Sequence, residues 1–364
     1  MNLYAWGANS YGQLGLGHKS DEELLPKEVQ LKACDLRAEN IVSIAGGAGH
    51  TLVLDSKGVV YCCGWNSKGQ LGLSDDTFKL TQIEILKEFK IVQISCGWDF
   101  SAAVSECGKQ FVWGNNQYTQ LGLSKSITCT GIPSRLQVSQ KLATGFQQVS
   151  CGLRHSAIIT KDGGLLVAGT GAKGQLGLGD NFDDNNYLSI SRVPELNDVI
   201  SVASGQHHTL VLRGNGTVLS WGDNKFGQLG VDPNVANSFV PLEVYNSDAL
   251  ESVYAGWTHS ACLLKNGDIL TWGRNNYGQL GANRDITYRP EKVPTLGNVK
   301  QLSLGSEHNL AVTNQNKLFA WGWNEHGSCG TGDKIDVKTP APLFPNKRVK
   351  LAFACTGSSF AIVE

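Results

Sequence analysis

Short apolar runs alternate with glycine-rich polar breaks along the whole chain. His50-Thr-Leu-Val-Leu54 and Val59-Val-Tyr-Cys-Cys63 are apolar on both alternating faces, and Asp55-Ser-Lys-Gly58 joins them. Thr209-Leu-Val-Leu212 and Ala261-Cys-Leu-Leu264 read the same way. Runs this short, bounded by turn residues, predict strands covered on both sides rather than helices. A further strand-like run, often carrying a proline (Pro26, Pro241, Pro290), leads from each such pair to the next.

The pattern repeats. A Trp-Gly signal closes an apolar run with its glycine at Gly7, Gly64, Gly114, Gly169, Gly222, Gly273 and Gly322. A Gly-x-x-His signal recurs with its glycine at Gly47, Gly97, Gly152, Gly205, Gly256, Gly305 and Gly357. From each Gly-x-x-His glycine to the next Trp-Gly glycine is 17 residues in all six intervals, whereas the return distance varies from 32 to 40. One half of the unit is therefore rigid, as a hairpin is, and the other tolerates insertions. Eleven residues after each Gly-x-x-His glycine stands Gly58, Gly108, Gly163, Gly216, Gly267 and then Asn316. Asparagine is the residue next to glycine in accepting positive φ, so this position predicts a fixed left-handed turn. A Gln-Leu-Gly loop follows the Trp-Gly signal, with its glutamine at Gln13, Gln70, Gln120, Gln175, Gln228 and Gln279, and degenerates to Ser328-Cys329-Gly330 in the last copy.

About four strands in each of seven units predict an all-β fold, a seven-bladed β-propeller with four-stranded blades spanning residues 1–364. The chain starts inside a unit, at Leu3-Tyr4-Ala5-Trp6, and ends after the second strand of another, Ser359-Phe-Ala-Ile-Val-Glu364. The two ends are thus expected to share one blade and close the ring, which removes exposed strand edges.

Composition narrows the function. With 31 basic and 32 acidic residues the net charge is −1, which excludes a general pull on phosphate backbones or anionic lipid. No apolar stretch is long enough to span a bilayer, and the N-terminus carries no export signal. The expectation is a soluble protein of the cytoplasm, with the nucleus as a further location, a monomer with no nucleic-acid partner and no membrane insertion. The ten cysteines form no CxxC pair and read as reduced buried thiols, with a metal site or a disulfide framework as the alternatives.

The phrases Trp-Gly-x-Asn-x-x-Gly-Gln-Leu-Gly and Gly-x-x-His-(Ser/Thr), repeated over essentially the whole chain, resemble the regulator of chromosome condensation repeat family. Kelch repeats have a similar period, but only Gly46-Gly47 matches their glycine pair. Several longer stretches, among them Gly305-Ser-Glu-His-Asn-Leu-Ala311 and Trp321-Gly-Trp-Asn-Glu-His-Gly327, are similar to a branch of that family concerned with secretion. The resemblance implies a protein-binding propeller that regulates a small GTPase, as a guanine nucleotide exchange factor, in protein secretion or vesicle traffic. The alternative is an interaction scaffold without exchange activity, recruiting a trafficking or ubiquitin-pathway protein. Light sensing, also known on this fold, needs a denser tryptophan cluster than Trp98 and Trp257 supply.

The chain departs from the pattern in places. Cys63 and Ala168 stand for the tryptophan, Gly171 for the asparagine, Thr119 for a glycine, and Phe100 and Phe360 for the histidine. The founding member's basic tail has no counterpart before Leu3, and its GTPase-engaging wedge hairpin is not recognisable. Only 123–150 and 178–200 are long enough to host one.

No catalytic constellation emerges, so no catalytic residue, cofactor or metal is expected. Gly169-Thr-Gly171-Ala-Lys-Gly174 matches GxGxxG but falls on the repeat's own Trp-Gly loop. His50, His155, His208, His259 and His308 occupy one framework position and are expected to tie a turn to a neighbouring strand. Antiparallel strands place the Gly-x-x-His and Gln-Leu-Gly loops on one face. By position in the family, the resemblance implies partner contacts at Trp98, Asp99, Arg154, His207, Trp257 and Glu307. Trp323, Glu325 and His326, where the repeat breaks its pattern, belong to the same face. For Trp98 and Trp257 the competing expectation is packing between blades. For Asp99 and Glu307 it is capping of a turn.

Overall fold

The computed structural model describes residues 1–31, 35–179 and 190–364. These residues form seven four-stranded antiparallel sheets. Blades 1 to 6 span residues 41–82, 91–135, 146–192, 199–246, 250–292 and 299–343. In each, the strands follow one another in chain order from the inner to the outer edge. Blade 7 is composite: Val349–Ala354 and Ser358–Val363 form its inner half, Asn2–Ala8 and Glu22–Glu28 its outer half. Six consecutive pairs from Asn2↔Val363 to Gly7↔Ser358 join the two ends, so the predicted closure is present.

The register of that blade corrects one sequence assignment. His50 pairs with Gly64 and His308 with Gly322, and the residue paired with Gly7 is Ser358. The histidine position of blade 7 is therefore Ser358, and its glycine position is Cys355, whose N–H donates to the Ser358 carbonyl as Gly47 N–H does to His50. Gly357 and Phe360 lie two residues further on, and Phe360 is buried in the core. The substitution is coupled. A Cβ at Gly47 would lie 2.3 Å from the His50 ring, so an imidazole at this site demands glycine beneath it. With serine above, cysteine fits.

The blades are bolted together by the repeated residues. Trp6, Trp113, Trp221, Trp272 and Trp321 fill the blade interfaces and are fully buried. Each indole N–H donates to a carbonyl of the preceding blade, that of Ser328, Gln70, Gln175, Gln228 or Gln279 respectively. The histidines bridge in the other direction. Each Nε2 meets a side-chain oxygen of the following blade: His50 to Ser101, His155 to Thr209, His208 to Ser260, His259 to Asn309 and His308 to Ser359. The Ser101 hydroxyl already donates to Gln70, so the imidazole must donate, which fixes the proton on Nε2. Burial drives His50, His155, His208 and His308 down to about 3, holding them neutral.

The inner strand of each sheet would present an unpaired edge. Side chains cap it instead: Gln93 exchanges two hydrogen bonds with the Val149 backbone, and Gln301 does the same with Ala352. The predicted left-handed turns hold, with φ between 78° and 85° at the five glycines and 61° at Asn316. The nine described cysteines are all free thiols. No helix among the described residues is long and apolar enough to cross a membrane.

Candidate functional site

The loop joining strands one and two of each blade and the loop joining strands three and four emerge on the same side, forming a rim around the central channel. Trp98 and Trp257 occupy the same repeat position in blades 2 and 5, three blades apart. Their rings meet across the axis at 5.4 Å between centroids, tilted by 41°. Below them the channel encloses about 100 Å³, lined by the ends of all seven inner strands, among them Gly46, Cys96, Cys151, Ser204, Leu304 and Cys355. Their backbones are pinned to neighbouring loops. The Trp98 carbonyl accepts from Ala48 N–H at 2.9 Å, and Trp257 N–H donates to Ser306 at 2.7 Å. Trp98 remains 38% exposed and Trp257 is half-buried. Neither fills a blade interface, a task performed by the five framework tryptophans.

The next position of the loop carries Asp99, Arg154, His207 and Glu307. Arg154 is exposed, its guanidinium 4.5 Å above the Tyr118 ring. Asp99 is half-buried and accepts from Asn115 Nδ2 at 2.8 Å. Burial raises its pKa, against the pull of Asn115, Lys68 and Arg154. His207 is half-buried and is held below its usual range, first by burial and then by Lys173 and Arg154, while Asp223 opposes them. For Glu307 the geometry matches the competing expectation, that of a cap. It is only 6% exposed and accepts hydrogen bonds from Thr258 Oγ1 and Gln279 Nε2, both at 2.6 Å. Its second oxygen lies 3.7 Å from His259 Nδ1. The Thr258 hydroxyl and the Gln279 amide need an acceptor in a dry interface, and the carboxylate supplies it. Glu307 therefore joins blades 5 and 6 from within.

Blade 6 supplies Trp323, Glu325 and His326. Trp323 lies 5.1 Å from the His326 ring and 6.5 Å from Tyr277, and Glu325 is exposed. His326 Nδ1 is 3.8 Å from Glu22, which also pairs with Lys334. The hydrogen bond from Lys334 is the main cause holding the Glu22 carboxyl below its usual range.

The rim also contains aromatic residues that motif reading passed over. Tyr11 and Trp65 stack at 5.0 Å, and Arg274 sits between Phe226 and Tyr277 at 4.7 and 4.8 Å. A signal for them exists in the repeat. The position just before the glycine of the Gln-Leu-Gly loop, filled in blade 2 by Thr119, reads Tyr11, Lys68, Tyr118, Lys173, Phe226, Tyr277 and His326. This is a column of aromatic and cationic side chains.

Among the described residues no cluster of histidine, cysteine or carboxylate side chains could hold a metal ion. The GxGxxG-like stretch spans the end of the third strand and the rim loop of blade 3. Residues 123–150 are taken up by the outer strand Cys129–Arg135 and the next inner strand Phe146–Cys151, leaving no separate wedge hairpin there. Of the other candidate segment, 178–200, residues 180–189 lie outside those described.

Comparison with known proteins places this geometry in context. The chain is 34% identical over 404 residues to the secretion-regulating guanine nucleotide exchange factor of Mus musculus, covering all of this chain and 83% of that protein. It is 34% identical to the ultraviolet-B receptor UVR8 of Arabidopsis thaliana, covering 92% of this chain and 76% of the receptor. Prp20p from Saccharomyces cerevisiae superposes with a TM-score of 0.88 at 24% identity, covering 99% of this chain and 90% of that structure, and shares its fold. The RCC1-like domain model matches residues 2–363, and with the seven bolted blades this establishes that the chain belongs to the RCC1-like domain family.

Proposed function

We propose that this propeller regulates a small GTPase in protein secretion or vesicle traffic, acting as a guanine nucleotide exchange factor from the cytoplasm. The observation that carries this reading is the end-to-end similarity to a secretion-regulating guanine nucleotide exchange factor. The rim gives it a physical basis. A partly exposed tryptophan pair on pinned loops, surrounded by charged side chains, is what an interface anchor requires. Exchange needs no acid–base chemistry. The partner binds the nucleotide-free GTPase better than the loaded one, and that difference is the coupling free energy that expels nucleotide. Trp98, Trp257 and Trp323 would supply buried contact area, with Asp99, Arg154, His207, Glu325 and His326 arranged around them.

The second reading, a scaffold without exchange activity, draws support from Glu307, a family contact position that is turned inward here. Release of labelled nucleotide from purified Rab, Ran and Ral-type GTPases separates the two. Acceleration on one of them, lost in a Trp98→Ala/Trp257→Ala variant that circular dichroism shows to be folded, supports exchange. Acceleration on none, together with a stable pull-down partner lost in the same variant, replaces it with the scaffold.

A further inference from the structure

The rim separates its charges. The acids of blades 2 and 4 are engaged by their own loops: Asp99 by Asn115, and Asp223 by Gln228 Nε2 at 2.9 Å. Glu307 is buried. Of the cations only Arg274 has hydrogen-bond partners in its own loop, its Nε donating to Asn276 Oδ1 at 3.1 Å and its Nη2 to the Tyr277 hydroxyl at 3.4 Å. Among the described residues Lys68, Arg154, Lys173, Lys225 and Arg274 form no ion pair with a carboxylate, although the chain as a whole is near neutral. Arg154 lies over Tyr118, Lys225 over Phe226, and Arg274 over both Phe226 and Tyr277. Stacking orients the Arg154 guanidinium and leaves its N–H edge for a bidentate acceptor, while Arg274, held by Asn276 and Tyr277, keeps Nη1 for one. The positive field is felt locally, since Lys173 and Arg154 both help to disfavour the charged form of His207.

From this charge layout we infer that blades 3 to 5 of the rim bind an acidic segment of a protein partner, with carboxylates on Arg154, Lys173, Lys225 and Arg274 and an apolar side chain of the same segment against Trp98 and Trp257. A nucleic acid fits less well. Asp99, Asp223 and Glu325 interrupt the cations, and a continuous phosphate backbone would meet them. The inference rests on the rim being the partner face, as proposed above, but not on the partner being a GTPase.

The probes are fluorescein-labelled Asp/Glu-rich peptides carrying one central leucine or phenylalanine, their Asn/Gln-matched counterparts, Lys-rich counterparts and single-stranded and duplex DNA, followed by anisotropy on the full chain. The acidic peptides are expected to bind in preference to all others and to weaken with added salt. Arg154→Glu/Arg274→Glu should lower their affinity by about tenfold or more, whereas Lys57→Glu on the opposite face should not. Circular dichroism confirms that both variants fold, and Arg154→Gln/Arg274→Gln gives the same reading with milder perturbation. Equal binding of neutral or basic peptides, tighter binding of DNA, or indifference to the reversal overturns the inference. Loss of GTPase exchange with acidic-peptide binding intact would remove the functional reading alone. Exchange activity in a full chain that fails to bind the acidic peptides would remove this inference alone.

Discussion

Trp6 Nε1 donates a 2.9 Å hydrogen bond to the carbonyl of Ser328, 322 residues away in sequence. It joins the N-terminal strand of blade 7 to blade 6, while the backbone of the same strand pairs with Ser358–Val363. The ring is held shut by this one strand from two sides. Deleting residues 1–8 should therefore lower the melting temperature far more than loss of a frayed terminus would, because it exposes the edge of Ser358–Val363 and empties the Trp6 site. Trp6→Phe, which removes the N–H and part of the ring, should cost about 1–3 kcal/mol in denaturant titration. An unchanged melting curve for the deletion would contradict closure by the first strand.

Trp98 and Trp257 should behave unlike the framework tryptophans. Trp113→Ala opens a cavity between blades and should cost about 3–5 kcal/mol. Trp98→Ala and Trp257→Ala each remove a ring that solvent already reaches. A double-mutant cycle should assign about 0.5–1.5 kcal/mol to their contact across the channel. Chemical denaturation of the four proteins measures this, and a coupling near zero would mean the rings do not meet in solution.

Glu307→Ala should destabilise the fold by about 1–3 kcal/mol, since it leaves the Gln279 amide and the Thr258 hydroxyl buried without an acceptor. Glu307→Gln keeps one acceptor and should cost less. If Glu307→Ala melts like the parent protein, the carboxylate is not the internal cap described above.

Acid should unfold the protein through its histidines. Burial depresses His50, His155, His208 and His308 to about 3, so they stay neutral in the folded state while the unfolded chain protonates them below about pH 6.5. The unfolded state then binds more protons, and stability is lost as pH falls from about 6.5 towards 3. Each imidazole contributes a slope of roughly 1.4 kcal/mol per pH unit inside that window. Unfolding free energies measured at several pH values would test it. A flat profile between pH 6 and about 4 would show that these rings are already charged in the fold.

Thr119 has φ of 58°, a conformation costly for a β-branched residue, whereas the other six blades place glycine there with φ between 74° and 86°. Thr119→Gly should raise stability by about 1 kcal/mol and the melting temperature with it. A lower melting temperature would mean that contacts of the buried threonine outweigh the strain.

Most of the architecture was readable because each blade interface uses the same residues. A repeated Trp-Gly or Gly-x-x-His marks a repeated contact, and the constant 17-residue interval marks a hairpin of fixed length. The reading failed at blade 7, where Gly357-Ser-Ser-Phe360 imitates the motif two residues out of register. Nothing local distinguishes it from Cys355-Thr-Gly-Ser358, because the distinction lies in pairing with Gly7 at the other end of the chain. The rim was legible only in part. Trp98 and Trp257 follow from the family resemblance by position, and the column from Tyr11 to His326 is present in the repeat, but that Tyr11 stacks on Trp65 and Phe226 on Arg274 across loops is a matter of tertiary structure.

The sequence by itself determined the β-unit, its number and the closure of the ring, since those follow from local periodicity and from glycine and histidine chemistry repeated within each unit. Tertiary structure decided which polar groups face solvent. Asp99, Arg154 and Glu307 hold the same repeat position, yet one is half-buried, one exposed and one enclosed. Burial depends on what the neighbouring blade offers: Asn115 beside Asp99, the Tyr118 ring beneath Arg154, and Thr258 with Gln279 around Glu307. Two tryptophans far apart in the chain meet over the channel for the same reason, because circular closure converts a sequence separation of three blades into a van der Waals contact.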